Sequence, residues 1–242
     1  MGYLCYIFNQ KLLNMKKTVL IVALSAAAFA VQAQTTFGAH AGINGASFTD
    51  KTTSGSQTTT DKFDTKVGLI IGVNAEIPIA SSLFFRPELN FIQKGGKLKQ
   101  TEVVFGTTYT TDAKVTTNYL ELPLNLVYKF NGSGLFAGAG PSIGYGLSGK
   151  ANSKTTVGSS TTEDNSDIKF DGKKNANDGK GHLKALDFGA NFLVGYQFSN
   201  NLFLKANYTL GLSNISVEDN STTKNTGLGF TIGYRFGGAS EE

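Results

Sequence analysis

The sequence has no tryptophan, one cysteine, two histidines and four prolines. The cysteine is Cys5, upstream of a complete secretory signal. The chain beyond residue 33 therefore offers no disulfide, no thiolate nucleophile and no cysteine-ligated metal. That part of the chain also lacks any run of about 18 consecutive apolar residues, which rules out a spanning helix. Runs of Lys and Arg that track a phosphate backbone are missing too. The net charge of +4 is no argument for nucleic acid, because Lys11, Lys16 and Lys17 all lie in the first 33 residues and no acid does. Without them it is +1.

The N-terminus reads as an export signal. Lys16 and Lys17 form a positive region, Thr18 to Val31 is apolar, and Val31-Gln32-Ala33 supplies the small residues of a cleavage site. Residues 15–33 are expected to be the signal peptide and Gln34 the mature start. Residues 1–14 then read as a mis-assigned start extension, and 34–242 as one domain.

What the rest contains is alternation. In Thr226 to Phe236, Leu228, Phe230, Ile232, Tyr234 and Phe236 make one face; Gly227, Gly229, Thr231, Gly233 and Arg235 make the other. A period of two means a strand between two unlike environments. Large apolar residues ending in aromatics suit lipid, and a glycine face ending in arginine suits a narrow polar lumen. Eight such segments are predicted, at 36–49, 64–79, 83–98, 115–130, 135–149, 184–198, 202–214 and 226–236. The first has the weakest pattern. The apolar faces traced within them, such as Leu83 to Phe91 and Leu186 to Phe198, carry no charge, and each segment exceeds the roughly 9–11 residues a tilted strand needs to cross a bilayer. The expected fold is all-β, an eight-stranded antiparallel up-and-down transmembrane β-barrel.

The connections alternate in length. Ala80-Ser81-Ser82, Asn131 to Gly134 and Ser199-Asn200-Asn201 are short turns. Asp50 to Phe63, Lys99 to Lys114, Lys150 to Leu183 and Ile215 to Asn225 are long polar segments, read as loops. Short turns at one rim and long loops at the other match the plan of bacterial outer-membrane barrels. Pro78, Pro87, Pro123 and Pro141 oppose it, since proline cannot donate to a ladder, so bulges or water-filled gaps are expected there.

The segments FRPELNFIQKG (Phe85 to Gly95), YLELPLNLVYKF (Tyr119 to Phe130), AGPSIGYGLSGK (Ala139 to Lys150), DFGANFLVGYQF (Asp187 to Phe198) and YTLGLSNI (Tyr208 to Ile215) resemble the PorT-like outer-membrane β-barrel domain of Gram-negative bacteria. The resemblance spans nearly all of the mature chain and includes the Arg-Pro-Glu, Leu-Pro and Gly-Pro elements. It implies an eight-stranded barrel in the cell outer membrane, with outer-membrane lipid and the outer-membrane assembly machinery as partners. It implies little about activity. Barrels of this kind often end at a terminal aromatic, whereas Gly237 to Glu242 follow Phe236 here.

Chemistry is sparse. His40 sits on a polar face, and His182 ends the longest loop near Asp187. A rim hydrolase built from His182, Asp187 and loop serines is one reading; a solvated loop histidine is the plainer one. The segment DGKKNANDGKG (Asp171 to Gly181) fails the spacing of a calcium loop. No catalytic residue, metal ligand or cofactor is assigned. The expected site is instead a lumen ion network of Glu76, Arg86, Glu88, Glu121, Lys129, Lys205 and Arg235. Leu83 is expected opposite Ile79, which sets Glu76 across from Arg86. An eight-stranded barrel barely holds its own side chains, so these charges should pair and plug it. Phe85, Tyr128, Phe130, Tyr196, Phe198, Tyr234 and Phe236 are the expected lipid-interface aromatics.

The functional reading is a structural or surface-interaction barrel, with an extracellular partner reached through the long loops. A narrow small-solute pore is the alternative; an outer-membrane enzyme and a soluble lipocalin-like binder with its faces inverted are further rivals.

Overall fold

The computed structural model describes residues 35–174 and 178–236. The expected signal peptide, its cleavage site and the segment after Phe236 lie outside them. The described residues are all-β. The strands are β1 (Thr36–Ser54), β2 (Gln57–Lys62), β3 (Asp64–Ala80), β4 (Leu83–Val104), β5 (Thr107–Lys129), β6 (Leu135–Val157), β7 (Ser160–Lys169), β8 (Gly181–His182), β9 (Leu186–Gln197), β10 (Leu202–Gly211) and β11 (Ser221–Phe236).

Eight of them close a hydrogen-bonded ring in the order β1, β3, β4, β5, β6, β9, β10, β11 and back to β1. Phe37 pairs with Phe236 and Asn44 with Gly229 across the closing seam. Closure leaves the ring no free edge to protect. β1, whose alternation is weakest in sequence, is held on both sides, by β11 and β3.

The alternation sorts the side chains as hydrophobic matching demands. Ile71, Phe230 and Ile232 face outward at 57, 52 and 55% exposure, whereas Glu76, Arg86 and Glu88 face inward at 2% each. A polar inside and an apolar outside is the reverse of a lipocalin-like barrel. The interior is not uniformly polar, however. Val127, Phe136, Leu193 and Phe203 form one buried apolar cluster, and Ile70, Ile92 and Tyr119 another against Phe170.

Two of the expected long loops are instead strand hairpins, and a third, Lys150 to Leu183, is strand as far as Lys169. β1 continues to Ser54 and turns through Gly55-Ser56 into β2; β4 and β5 meet at Phe105-Gly106; β6 and β7 meet at Gly158-Ser159. The physical reason is local. Threonine-rich segments favour strand, and two-residue hairpins form where positive φ is available at the turn. Gly55, Gly106 and Gly158 provide it, at φ 60°, 79° and 59°.

The β3–β4 turn also differs from expectation. Leu83 pairs with Ala80, not Ile79, and a register shift between Pro78 and Ala80 absorbs the difference. Pro78 has no N–H for the ladder, so a bulge there breaks no donated bond. Beyond it Ile77 pairs with Phe85 and Asn74 with Glu88, which brackets Glu76 opposite Arg86. At Pro123 and Pro141 the register is kept and the ladder is interrupted: partners resume at Asn90–Glu121 after Pro87–Leu124, and at Leu126–Ala139 after Pro123–Ser142.

Candidate functional site

Apart from Lys66 of β3, the buried charge inside the ring falls into two groups. The first is built on Glu76 of β3. Its Oε1 accepts from Arg86 Nη2 of β4, and its Oε2 accepts from Lys129 Nζ of β5 at 2.6 Å. Arg235 of β11 brings Nη1 to 3.6 Å of the same oxygen. Beside it Glu88 of β4 pairs with Lys205 of β10, and His40 Nε2 of β1 lies 3.8 Å from Glu88. Asn90 links these last two: its Oδ1 is 2.9 Å from His40 Nε2, and its Nδ2 is 3.5 Å from Glu88. One carboxylate meeting three cations from β4, β5 and β11 is a geometry that offsets the cost of burying each ion.

The cations are also packed on aromatic rings. The Arg86 guanidinium lies 4.4 Å from the Phe136 centroid and 6.0 Å from that of Phe203. Lys129 Nζ is 4.2 Å from the Phe84 centroid. These rings occupy space that glycines leave. A Cβ on Gly195 would fall 2.2 Å from Phe136 Cζ, and one on Gly233 would fall 2.2 Å from Phe203 Cζ. Phe136 is the register partner of Gly195, and Phe203 that of Gly233. An aromatic lying across a strand glycine restores the packing a missing side chain forfeits.

The second group centres on Lys94 of β4. Its Nζ lies 2.5 Å from Glu121 Oε2 of β5 and 3.2 Å from Asp187 Oδ2 of β9, over the Tyr119 ring at 4.9 Å. Asp187 also accepts from Asn225 at 2.8 Å and from Ser213 at 3.1 Å. A polar crosspiece adds to the interior: Asn191 Nδ2 donates to Asn125 at 2.9 Å, and Thr209 donates to Asn191 Oδ1 at 3.0 Å.

The structure thus gathers Glu76, Arg86, Lys129 and Arg235 and joins Glu88 to Lys205, but sets Glu121 with Lys94 and Asp187. Glu121 is four residues along β5 from Asn125, the register partner of Arg86, roughly 13 Å away at strand rise. Lys94 and Asp187 were legible as polar-face residues of their strands, but their meeting across the ring was not.

His182 does not approach Asp187 as the hydrolase reading required. Its Nδ1 is 2.7 Å from Asp171 and its Nε2 3.0 Å from Asp178. Asp187 is committed to Lys94, Asn225 and Ser213. The two loop carboxylates raise the His182 pKa above its ordinary value, Asp171 contributing most. The same contacts hold Asp171 and Asp178 below the ordinary carboxylate range.

Outside, Tyr128–Phe130, Tyr196–Phe198 and Tyr234–Phe236 form three edge-to-face pairs with centroids 5.2, 4.9 and 5.3 Å apart. Each is a Tyr-x-Phe sequence at the C-terminal end of a ring strand, and all six rings are exposed. Phe85, on the same face, is half-buried.

A closed ring with charge inside and aliphatic and aromatic residues outside defines an all-β protein of the membrane-barrel class. The chain belongs to the outer membrane protein beta-barrel domain family, whose model matches residues 32–217. It resides in the outer membrane. No curated protein matches the sequence. Among solved structures, Ail, the attachment invasion locus protein of Yersinia pestis, is similar at 11% identity over 84% of this chain and 99% of that one, with a TM-score of 0.37. Neisserial surface protein A is similar at 13% identity over 83% and 97%, with a TM-score of 0.34. The outer membrane protease OmpT from Escherichia coli is similar at 8% identity over 83% and 96%, with a TM-score of 0.36.

Proposed function

We propose that the protein is an eight-stranded antiparallel up-and-down barrel of the PorT-like kind. Its lumen is plugged by its own ion network, and its role is structural or surface-interacting, not catalytic. The observation that carries the reading is the convergence of Arg86, Lys129 and Arg235 on Glu76 inside the ring. In a barrel this narrow, an interior crossed by paired side chains leaves little room for solute. The extracellular contact surface is then the set of hairpins β1–β2, β4–β5 and β6–β7. Residues 15–33 serve as the signal peptide, the assembly machinery inserts the mature domain, and an extracellular partner engages the hairpins.

The test is conductance across planar bilayers. The purified protein should insert without steady single-channel steps. Regular steps from the wild-type protein would replace the plug with the narrow-pore reading. N-terminal sequencing of the protein from outer membranes should begin at Gln34; retention of Met15 would reject the signal peptide.

A further inference from the structure

The end of the ring where the hairpins rise holds a feature the plug does not use. A cavity of about 180 Å³ opens there. Its walls are mostly apolar and come from opposite sides of the barrel: Phe48 of β1, Phe63, Val115 of β5, Ile168 of β7, Leu183 and Ile215, with Asp50, Gly181, His182 and Thr223 completing the lining. Phe48 is 4% exposed, Ile168 9% and Ile215 0%, and Phe63, Val115 and Leu183 are half-buried, so the floor is shielded and the mouth is open to solvent. Phe48 and Phe63 stand edge to face, with centroids 6.0 Å apart.

Leu183 and Ile215 form one wall of the cavity. Leu183 bridges to Ser216, Leu183 N–H donates to the Lys169 carbonyl at 2.9 Å, and Lys184 N–H donates to the Ile215 carbonyl at 2.9 Å. These bonds hold Leu183 and Ile215 in that wall.

Most polar side-chain atoms in its lining are already engaged. Asp50 Oδ1 accepts from Ser221 at 2.8 Å and from Thr223 at 3.1 Å. Both ring nitrogens of His182 face Asp171 and Asp178. The Phe48 carbonyl accepts from Phe63 N–H at 3.0 Å, and the Thr223 carbonyl from Ile215 N–H at 3.0 Å. A guest would find few free donors or acceptors and much hydrocarbon.

We propose that this cavity is a binding site for a small uncharged apolar molecule, entering from the extracellular side. Size sets the class. An apolar protein cavity of about 150 Å³ stays dry and takes benzene, so this one suits a guest of roughly six to eight non-hydrogen atoms. A polar guest of that size is disfavoured, because it would lose its hydrogen bonds to water and regain few. The proposal is independent of the plug, which lies among other side chains.

The test uses the full mature protein in deuterated detergent, with methyl-labelled Ile, Leu and Val, and benzene as the probe. Benzene should give saturable intermolecular nuclear Overhauser effects to the methyls of Val115, Ile168 and Ile215. 1,4-Dioxane, of similar size, should give none at the same concentration. Val115→Trp and, separately, Ile215→Phe should reduce the benzene effects at the remaining cavity methyls at least tenfold while the barrel keeps its heat-modifiable band on gels. If one variant does not fold, the other carries the comparison. Benzene contacts confined to outward methyls such as Ile71 and Val73, or non-saturable at the cavity, would mean partitioning into detergent and overturn the site. Equal occupancy by dioxane would overturn its apolar class.

Discussion

The guanidinium of Arg86 lies 4.4 Å from the centroid of the Phe136 ring while its Nη2 bonds Glu76. One side chain thus joins the apolar cluster of the short-turn end to the ion network above it. Lysine could supply the charge but not the planar face that stacks on the ring.

Arg86→Ala should therefore destabilise the barrel strongly. Removing one partner from a buried ion group costs about 3–5 kcal/mol, because the other charge stays buried. Glu76 keeps Lys129 and Arg235, so the lower end of that range is expected. The temperature at which the folded band disappears in SDS should fall. Adding Glu76→Gln in the same chain should recover part of the loss. An Arg86→Ala barrel as heat-resistant as wild type would remove this residue from the plug.

The β4 cluster invites a sharper contrast. Lys94 is the cation between Glu121 and Asp187. Lys94→Met removes the cation that bridges two carboxylates across a confined interior, and leaves like charges to repel there. The loss should exceed that of Arg86→Ala, and Asp187→Asn added to Lys94→Met should restore a large part of it. If the double variant is no more stable than Lys94→Met alone, the two carboxylates are not coupled through Lys94.

How much of this could be read from the chain differs from part to part. The eight ring strands follow from period-two alternation, because a face of Leu228, Phe230 and Ile232 has one destination in a barrel and Gly229 and Gly233 another. Register near Glu76 and Arg86 was readable despite the misplaced Leu83–Ile79 pair, since the bulge at Pro78 restores the count by Ile77–Phe85. Contacts across the ring were not readable. Lys94 and Asp187 are 93 residues apart, and no periodicity says which walls of a closed ring face each other. The interior aromatics were missed for a different reason. Phe136 and Phe203 look out of phase until each is seen against its partner glycine. The hairpin extensions were hidden because threonine and serine suit both a solvated loop and an exposed strand.

The three Tyr-x-Phe pairs predict a depth. Tyrosine and tryptophan are favoured where an apolar body meets a wet tip. In vesicles, Tyr234→Trp and Phe236→Trp should each fluoresce blue-shifted from a water-exposed indole. Both should be quenched by bromines near the headgroup end of the acyl chain more than by bromines at its terminus. Emission at the wavelength of free tryptophan would take this rim out of the interface.

The last prediction concerns His182, which holds Asp171 and Asp178 together in the connection between β7 and β9. Lys169 Nζ also reaches Asp178 at 2.8 Å, and Lys173 Nζ lies 3.9 Å from Asp171. The imidazole pKa is raised, first by Asp171 and then by Asp178. Its contribution to the clasp is complete below the ordinary histidine value of about 6.5 and is lost as pH rises through the raised one. The carboxylate pKa values are lowered, with His182 the largest cause for each. Their contribution is complete above the ordinary value of about 3.9 and is lost as pH falls through the depressed ones. The clasp should be whole between about pH 4 and pH 6.5 and open on the alkaline side first. Hydrogen exchange at the amides of Gly181, His182 and Leu183, corrected for its intrinsic pH dependence, should show protection falling as pH rises above that window. His182→Gln, which cannot titrate, should abolish the step. Protection that stays flat from pH 5 to pH 9 in the wild-type protein would mean that the imidazole charge does not hold this segment.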